Sequence, residues 1–211
     1  MDLLFEELKL HNPGVLKTRI PISVFLDLQK DLSETIETNR IPANTGLAGN
    51  IETELLYSPC ESFKVCLTAM YEEYTRRFDY HYGKPYTLED KAWVNLQKKY
   101  EFNPVHWHYG TVSWVAYVSI PYDLQEELNQ PHVVNSIFQC ASMFQFVYNK
   151  FDGGISTRNI EIDKTWEGVV MMFPAYLKHQ VYPFSTSDGT RVSIAGNIRV
   201  DGVPDMLDYA F

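Results

Sequence analysis

Asn103-Pro104-Val105-His106-Trp107-His108-Tyr109-Gly110-Thr111-Val112-Ser113-Trp114-Val115-Ala116-Tyr117 is the stretch on which the reading of the chain turns. Two histidines two residues apart stand just before a run of β-branched and aromatic residues. In extended backbone, residues i and i+2 point to one face. His106 and His108 can therefore aim both imidazoles at one point, as metal ligands do, and neutral imidazole suits iron, zinc, copper or nickel. Trp107 falls on the opposite face, as a packing residue. Paired histidines in a strand also occur as ordinary surface or core residues, so the pair needs a second signal.

Phe173-Pro174-Ala175-Tyr176-Leu177-Lys178-His179-Gln180-Val181-Tyr182-Pro183 supplies a third histidine at the head of a short β-like run. Asp188-Gly189 follows, a dipeptide of type I′ hairpins, and then Thr190 to Ile198. Alternation puts Arg191, Ser193, Ala195 and Asn197 on one face and Val192, Ile194 and Ile198 on the other. An arginine aimed inward needs an acceptor. A small dicarboxylic acid fits, because guanidinium binds carboxylate through two parallel hydrogen bonds and a serine adds one more. An internal salt bridge is the alternative.

The rest of the chain frames these stretches. Pro21 opens a helix whose apolar stripe is Phe25, Leu28, Leu32 and Ile36. Residues 39–57 are mixed and turn-rich. Ser58-Pro59-Cys60-Glu61 reads as a helix start, with a serine cap, proline in the first position and glutamate closing a capping box. Phe63, Cys66, Leu67, Met70, Tyr71, Tyr74 and Phe78 continue at helical spacing to about residue 80 as a buried face. From residue 90 the texture turns to short strands: about 91–99, 112–120, 139–148, 155–162, 168–173, 179–184 and 190–199. Asp152-Gly153-Gly154 marks a hairpin. Such spacing predicts a sandwich or barrel. Glu126-Glu127 reads as a solvated patch in a long connection, 121–138, that could serve as a lid. His11 and His132 read as solvated.

The chain of 211 residues suits one domain: 1–85 as entry strands and helical buttress, 86–203 as the β core, 204–211 as a tail. A formal charge of −9 argues against a nucleic-acid phosphate backbone as partner. No apolar run approaches the ~20 residues needed to span a bilayer. The acidic start Met1–Glu7 does not read as a signal peptide. Three cysteines, Cys60, Cys66 and Cys140, do not make a disulfide framework and favour a reducing, cytoplasmic setting (a host's, were the gene carried by a phage).

Taken together, Trp93-Val94-Asn95, Phe102 through His108, Ser113 through Pro121, Phe173-Pro174 with His179, and Arg191-Val192-Ser193 with Asn197 resemble the 2-oxoglutarate- and Fe(II)-dependent oxygenases. The likeness is to a prolyl-hydroxylase-like branch met in phage and marine bacterial genomes. The order of the elements carries it, over the second half of the chain. It implies a mostly β fold with flanking helices: a double-stranded β-helix, or jelly roll, buttressed by N-terminal α-helices. It implies Fe(II) as metal, 2-oxoglutarate as cosubstrate, dioxygen, and hydroxylation of an unidentified substrate, in the family's manner a peptidyl residue, with succinate and carbon dioxide released. A homodimer is compatible with it.

The resemblance assigns the metal to His106, His108 and His179, and the cosubstrate to Arg191 and Ser193, with Asn95, Tyr117 and Asn197 as further contacts. Asn95 and Tyr117 have an equal reading as internally bonded residues of a packed barrel. One departure stands out. The superfamily's usual triad is two histidines and one carboxylate, whereas His108 occupies the carboxylate position. Either three histidines bind the metal or an acid comes from elsewhere; Glu101 and Asp123 are nearest in sequence. Two other readings remain: a cupin-like three-histidine metalloenzyme that does not use 2-oxoglutarate, and a non-enzymatic jelly roll in a virion or binding role.

Overall fold

A computed structural model describes residues 14–38, 40–150 and 152–204. In chain order the elements are β1 (Leu16–Arg19), α1 (Ile22–Thr38), β2 (Glu54–Tyr57), α2 (Glu61–Phe78), β3 (Tyr86–Leu88), β4 (Ala92–Gln97), β5 (Asn103–His106), β6 (Val112–Ser119), α3 (Leu124–Leu128), β7 (Phe144–Asn149), β8 (Ile155–Ile160), β9 (Val169–Pro174), β10 (His179–Val181) and β11 (Arg191–Val200). His11, the start of the expected entry strands and the tail beyond Pro204 lie outside the described residues.

The strands form two antiparallel sheets. The larger runs β1-β9-β6-β11-β4-β2, with β3 also on β11; the smaller runs β5-β10-β7-β8. Alternation along the central strands explains the layering. On β6, Trp114, Ala116 and Val118 join a core built with Leu28, Leu32, Phe63, Leu67 and Tyr74 of α1 and α2. Val115 and Tyr117 of the same strand join Phe144, Phe146 and Phe173 in a second core between the sheets. A strand buried on both faces reads as a continuous apolar run, which Trp114–Val118 is. The order is helices, large sheet, small sheet: a jelly roll with its helical buttress on one face. Gly196 stands opposite Trp114 on β6. A Cβ there would lie 2.5 Å from the indole, so only glycine lets Trp114 cross its neighbour strand.

Four local expectations are corrected. Ser58 does not cap α2. The helix starts at Glu61 with Cys60 in the cap position, and the Ser58 hydroxyl donates to the Asp90 carbonyl at 3.1 Å. Glu61 pairs with Lys64 instead of closing a box. Asp188-Gly189 does not make a hairpin: β10 and β11 belong to different sheets, Gly189 lacks the positive φ of a type I′ turn, and residues 182–190 carry the chain across the sandwich. Residues 39–57 contain a strand, β2, which pairs with β4.

The fourth correction concerns Glu127, which is fully buried. Its carboxylate accepts from the Ser185 N–H (2.9 and 3.0 Å), the Ser185 hydroxyl (3.2 Å), the Thr186 N–H (2.7 Å) and the Thr186 hydroxyl (2.6 Å). A buried anion needs such donors. With Leu124 and Val133 also buried, the 121–138 connection is fastened to the crossover and contributes nothing to the lining of the cavity between the sheets. Glu126 and His132 are exposed.

Candidate metal and anion site

The site lies between the sheets, in a cavity walled by Trp93, Asn95, Gln97, Tyr117, Arg191 and Ser193 from the large sheet and by His106, Phe144 and His179 from the small one. His106 and His179 are directly opposed across the β5–β10 ladder, which puts both side chains on one face. His108 lies beyond the end of β5, where its N–H donates to the Ala175 carbonyl at 2.9 Å. The three rings cluster, with centroids 4.3 to 5.0 Å apart. One nitrogen from each lies within 4.8 Å of the others. Trp107, expected to pack, is half exposed, with the Lys178 ammonium 5.6 Å from its ring.

Second partners set the tautomers. His106 Nδ1 lies 2.7 Å from the Pro104 carbonyl and His179 Nδ1 2.8 Å from the Leu177 carbonyl. A carbonyl can only accept, so each Nδ1 carries the proton and each Nε2 keeps a lone pair. Burial holds all three imidazoles neutral. It lowers the His106 pKa, pushes His179 down to about 3, and drives His108 well below its ordinary value with help from its two neighbours. Phe144 stacks on His179 at 5.2 Å. The Nε2 atoms of His108 and His179 are 3.2 Å apart. Neutral imidazoles converging lone pairs in an apolar shell fit a divalent transition metal. The acids considered as alternatives are engaged elsewhere: Glu101 accepts from the Glu52 and Lys98 N–H groups, and Asp123 caps α3.

Arg191 sits on the large sheet at the same cavity and is 1% exposed. No carboxylate pairs with it among the described residues, so the internal salt bridge is absent. Gln97 Oε1 accepts from Nε (3.1 Å) and Nη2 (2.7 Å); the Tyr122 hydroxyl and Ser142 carbonyl accept from Nη1 (3.0 and 2.8 Å); the Tyr182 carbonyl accepts from Nη2 (3.0 Å). Every acceptor is neutral, and the cation's charge is uncompensated. Burying such a charge is costly unless an anion joins it. Ser193 lies two residues along β11 and accepts from Asn95 Nδ2 at 3.3 Å, while Asn95 Oδ1 is buried without a partner. Tyr117 is buried, its hydroxyl pushed upward in pKa by desolvation. Asn197 instead accepts from the Ser113 hydroxyl at 2.7 Å and lines an outer groove. Alone, the sequence pointed to neither Tyr122 nor the two carbonyls on Arg191. Gln97 shows in the sequence only a two-residue spacing from Asn95, which puts both on one face of a strand.

The outer groove, of about 400 Å³, borders His106 and His108 and is lined by Leu47, Trp93, Val105, Trp107, Tyr109 and Asn197. A jelly roll with three convergent imidazoles at one part of a cavity and a lone buried guanidinium at another defines a metalloenzyme of the kind that takes an anionic cosubstrate. The family model described as "Putative 2OG-Fe(II) oxygenase" matches residues 91–197, and the chain belongs to that family. It is a 2-oxoglutarate-dependent dioxygenase that uses Fe(II), 2-oxoglutarate and dioxygen. That membership removes the cupin-like and non-enzymatic readings.

Solved structures of like fold include a prolyl-4-hydroxylase from Pseudomonas putida, 17% identical, with TM-score 0.56 over 90% of this chain and 94% of that one. A prolyl hydroxylase from Trichoplax adhaerens, solved with a hypoxia inducible factor oxygen degradation domain peptide fragment, is 13% identical, with TM-score 0.56 over 89% and 83%. The α-ketoglutarate-dependent epimerase SnoN from nogalamycin biosynthesis is 12% identical, with TM-score 0.53 over 88% and 76%. At these identities the likeness is one of fold. No curated protein is matched by the sequence. Among the described residues no helix is long and apolar enough to cross a membrane.

Proposed function

We propose that His106, His108 and His179 hold Fe(II), that Arg191 and Ser193 receive the far carboxylate of 2-oxoglutarate, and that the enzyme hydroxylates a peptidyl residue presented at the outer groove. The observation that carries this reading is the pairing, in one cavity, of a neutral three-imidazole cluster with a buried arginine that has no counter-ion. Iron bound there, with 2-oxoglutarate and dioxygen, supplies the oxidising chemistry, and succinate and carbon dioxide leave.

The chain's own residues provide position and dryness. The Pro104 and Leu177 carbonyls fix two imidazoles in the tautomer that presents Nε2. Phe144 and Phe173 pack against His179 and keep water from its face. Arg191 neutralises a carboxylate in a site too dry for a free anion. Asn95, its amide bonded to Ser193, leaves its Oδ1 as a buried, unpartnered acceptor in a residue that lines the cavity. Asn197, bonded to Ser113, belongs with the groove rather than with the cosubstrate. A peptide substrate accords with an aromatic groove that borders two of the histidines, and with the prolyl hydroxylases of like fold. A reducing compartment accords with Cys60, Cys66 and Cys140, all free thiols.

The test is anaerobic titration of metal-free protein with Fe(II) and then 2-oxoglutarate, followed through the visible charge-transfer band of the chelate. Wild type takes up one equivalent of iron and gives the band. His106→Ala and His179→Ala, folded by circular dichroism, give neither. Tight stoichiometric iron in both variants would remove the histidine cluster from the reading.

A further inference from the structure

The five N–H groups of Arg191 make five hydrogen bonds, so no donor is spare for an incoming carboxylate. Of the four acceptor groups, only the Gln97 side chain also lines the cavity; Tyr122, Ser142 and Tyr182 do not. Gln97 Oε1 bridges Nε and Nη2, the edge through which a guanidinium grips a carboxylate with two parallel bonds. Its amide cannot be turned round, because Nε2 donates to the Glu101 carbonyl while Oε1 takes the guanidinium. Gln97 is opposite Arg191 across the β4–β11 ladder and is buried. About 40 Å³ of the cavity is open to the centres of water molecules, enough to admit solvent beside Gln97.

We propose that Gln97 is a built-in stand-in for the cosubstrate's carboxylate. It holds the Nε–Nη2 edge of Arg191 and fills its space until the cosubstrate displaces it, and so sets the affinity for 2-oxoglutarate. This rests on Arg191 being the anchor for that carboxylate. A neutral amide is the residue type this needs. A glutamate would pair with the arginine and refuse to leave, and an apolar residue would strand two buried donors, at a cost that makes the empty site less stable.

The experiment is calorimetric titration of the Mn(II)-loaded full chain with 2-oxoglutarate, in wild type, Gln97→Ala, Gln97→Glu and Arg191→Ala, with thermal melting of each protein free of metal and cosubstrate. Gln97→Ala should bind about tenfold tighter and melt lower when empty; Gln97→Glu should bind at least about tenfold weaker and melt higher. A glutamine needed only for folding would weaken binding in both variants, and that outcome overturns the proposal. If Gln97→Ala does not fold, Gln97→Ser carries the same test. Arg191→Ala separates the two levels and should lose roughly 30-fold or more. Should Arg191→Ala bind like wild type, the anchor itself is wrong. If Arg191→Ala loses binding while Gln97→Ala is no tighter than wild type, the stand-in fails and the anchor survives.

Discussion

Glu127 is the residue whose replacement should do most damage away from the site. Its carboxylate is fully buried and gathers four donors from Ser185 and Thr186. No cation faces it in an ion pair among the described residues. Glu127→Ala leaves two backbone N–H groups and two hydroxyls without that acceptor. A buried group left unpaired costs about 1–3 kcal/mol, but the hydroxyls can turn to other acceptors and water can enter the vacated space. The net loss is therefore about 3–5 kcal/mol rather than the full sum. In a chain of this size 1 kcal/mol moves Tm by about 2–4 °C, so melting should fall by roughly 6–20 °C. The damage should also be directional. Thr186 lies five positions before Arg191 in the crossover, so loosening it should weaken 2-oxoglutarate binding while iron uptake persists. Hydrogen exchange of the Ser185 and Thr186 amides, measured with the melts, localises the effect. A Tm drop under about 2 °C, with those amides still protected, would refute the claim that Glu127 fastens the crossover.

Two further outcomes follow from the same structure. His108→Asp should keep stoichiometric Fe(II), since it restores the two-histidine, one-carboxylate set, while His108→Ala should lose it. Metal analysis that found full iron in His108→Ala would strike His108 from the ligands. Glu54, 1% exposed and with one oxygen unpartnered, has its pKa pushed up to about 7 by burial and by nearby Glu101. A carboxyl raised on folding costs nothing at pH 4, where it is protonated in both states. The cost grows from about pH 4.5 and is complete above pH 7. Discounted for partial solvation, Glu54→Gln should stabilise by about 1–2 kcal/mol at pH 8 and by almost nothing at pH 4. Equal Tm shifts at the two pH values would contradict this.

The parts of the fold that were legible in the sequence are those where local pattern and tertiary environment agree. Leu28, Leu32, Phe63, Leu67 and Tyr74 keep helical spacing because a sheet lies under them. His106 and His179 become legible only together, because the third histidine, at the head of a second β-like run, adds to a pair that alone reads equally as packing. The illegible parts depend on distant partners. Asp188-Gly189 carries a strong local turn signal, yet the strand after it is claimed by β4 and β6 of the other sheet. Glu127 looks solvated beside Glu126 because nothing nearby in sequence shows that Ser185 and Thr186 will enclose it. Gln97 meets Arg191 only through a strand pairing across 94 residues. No window of sequence contains both.

The crossover from β10 to β11 gives the cavity a gauge. His179 hangs from the small sheet and Arg191 from the large one, so their spacing is the thickness of the sandwich, about 10 Å between packed sheets. No loop sets it. The spacers are Phe144, Phe146 and Phe173, which fill the layer between the sheets. They act like shims in a caliper, so trimming or enlarging one would alter the length of molecule the jaws accept while leaving every polar group at either jaw in place.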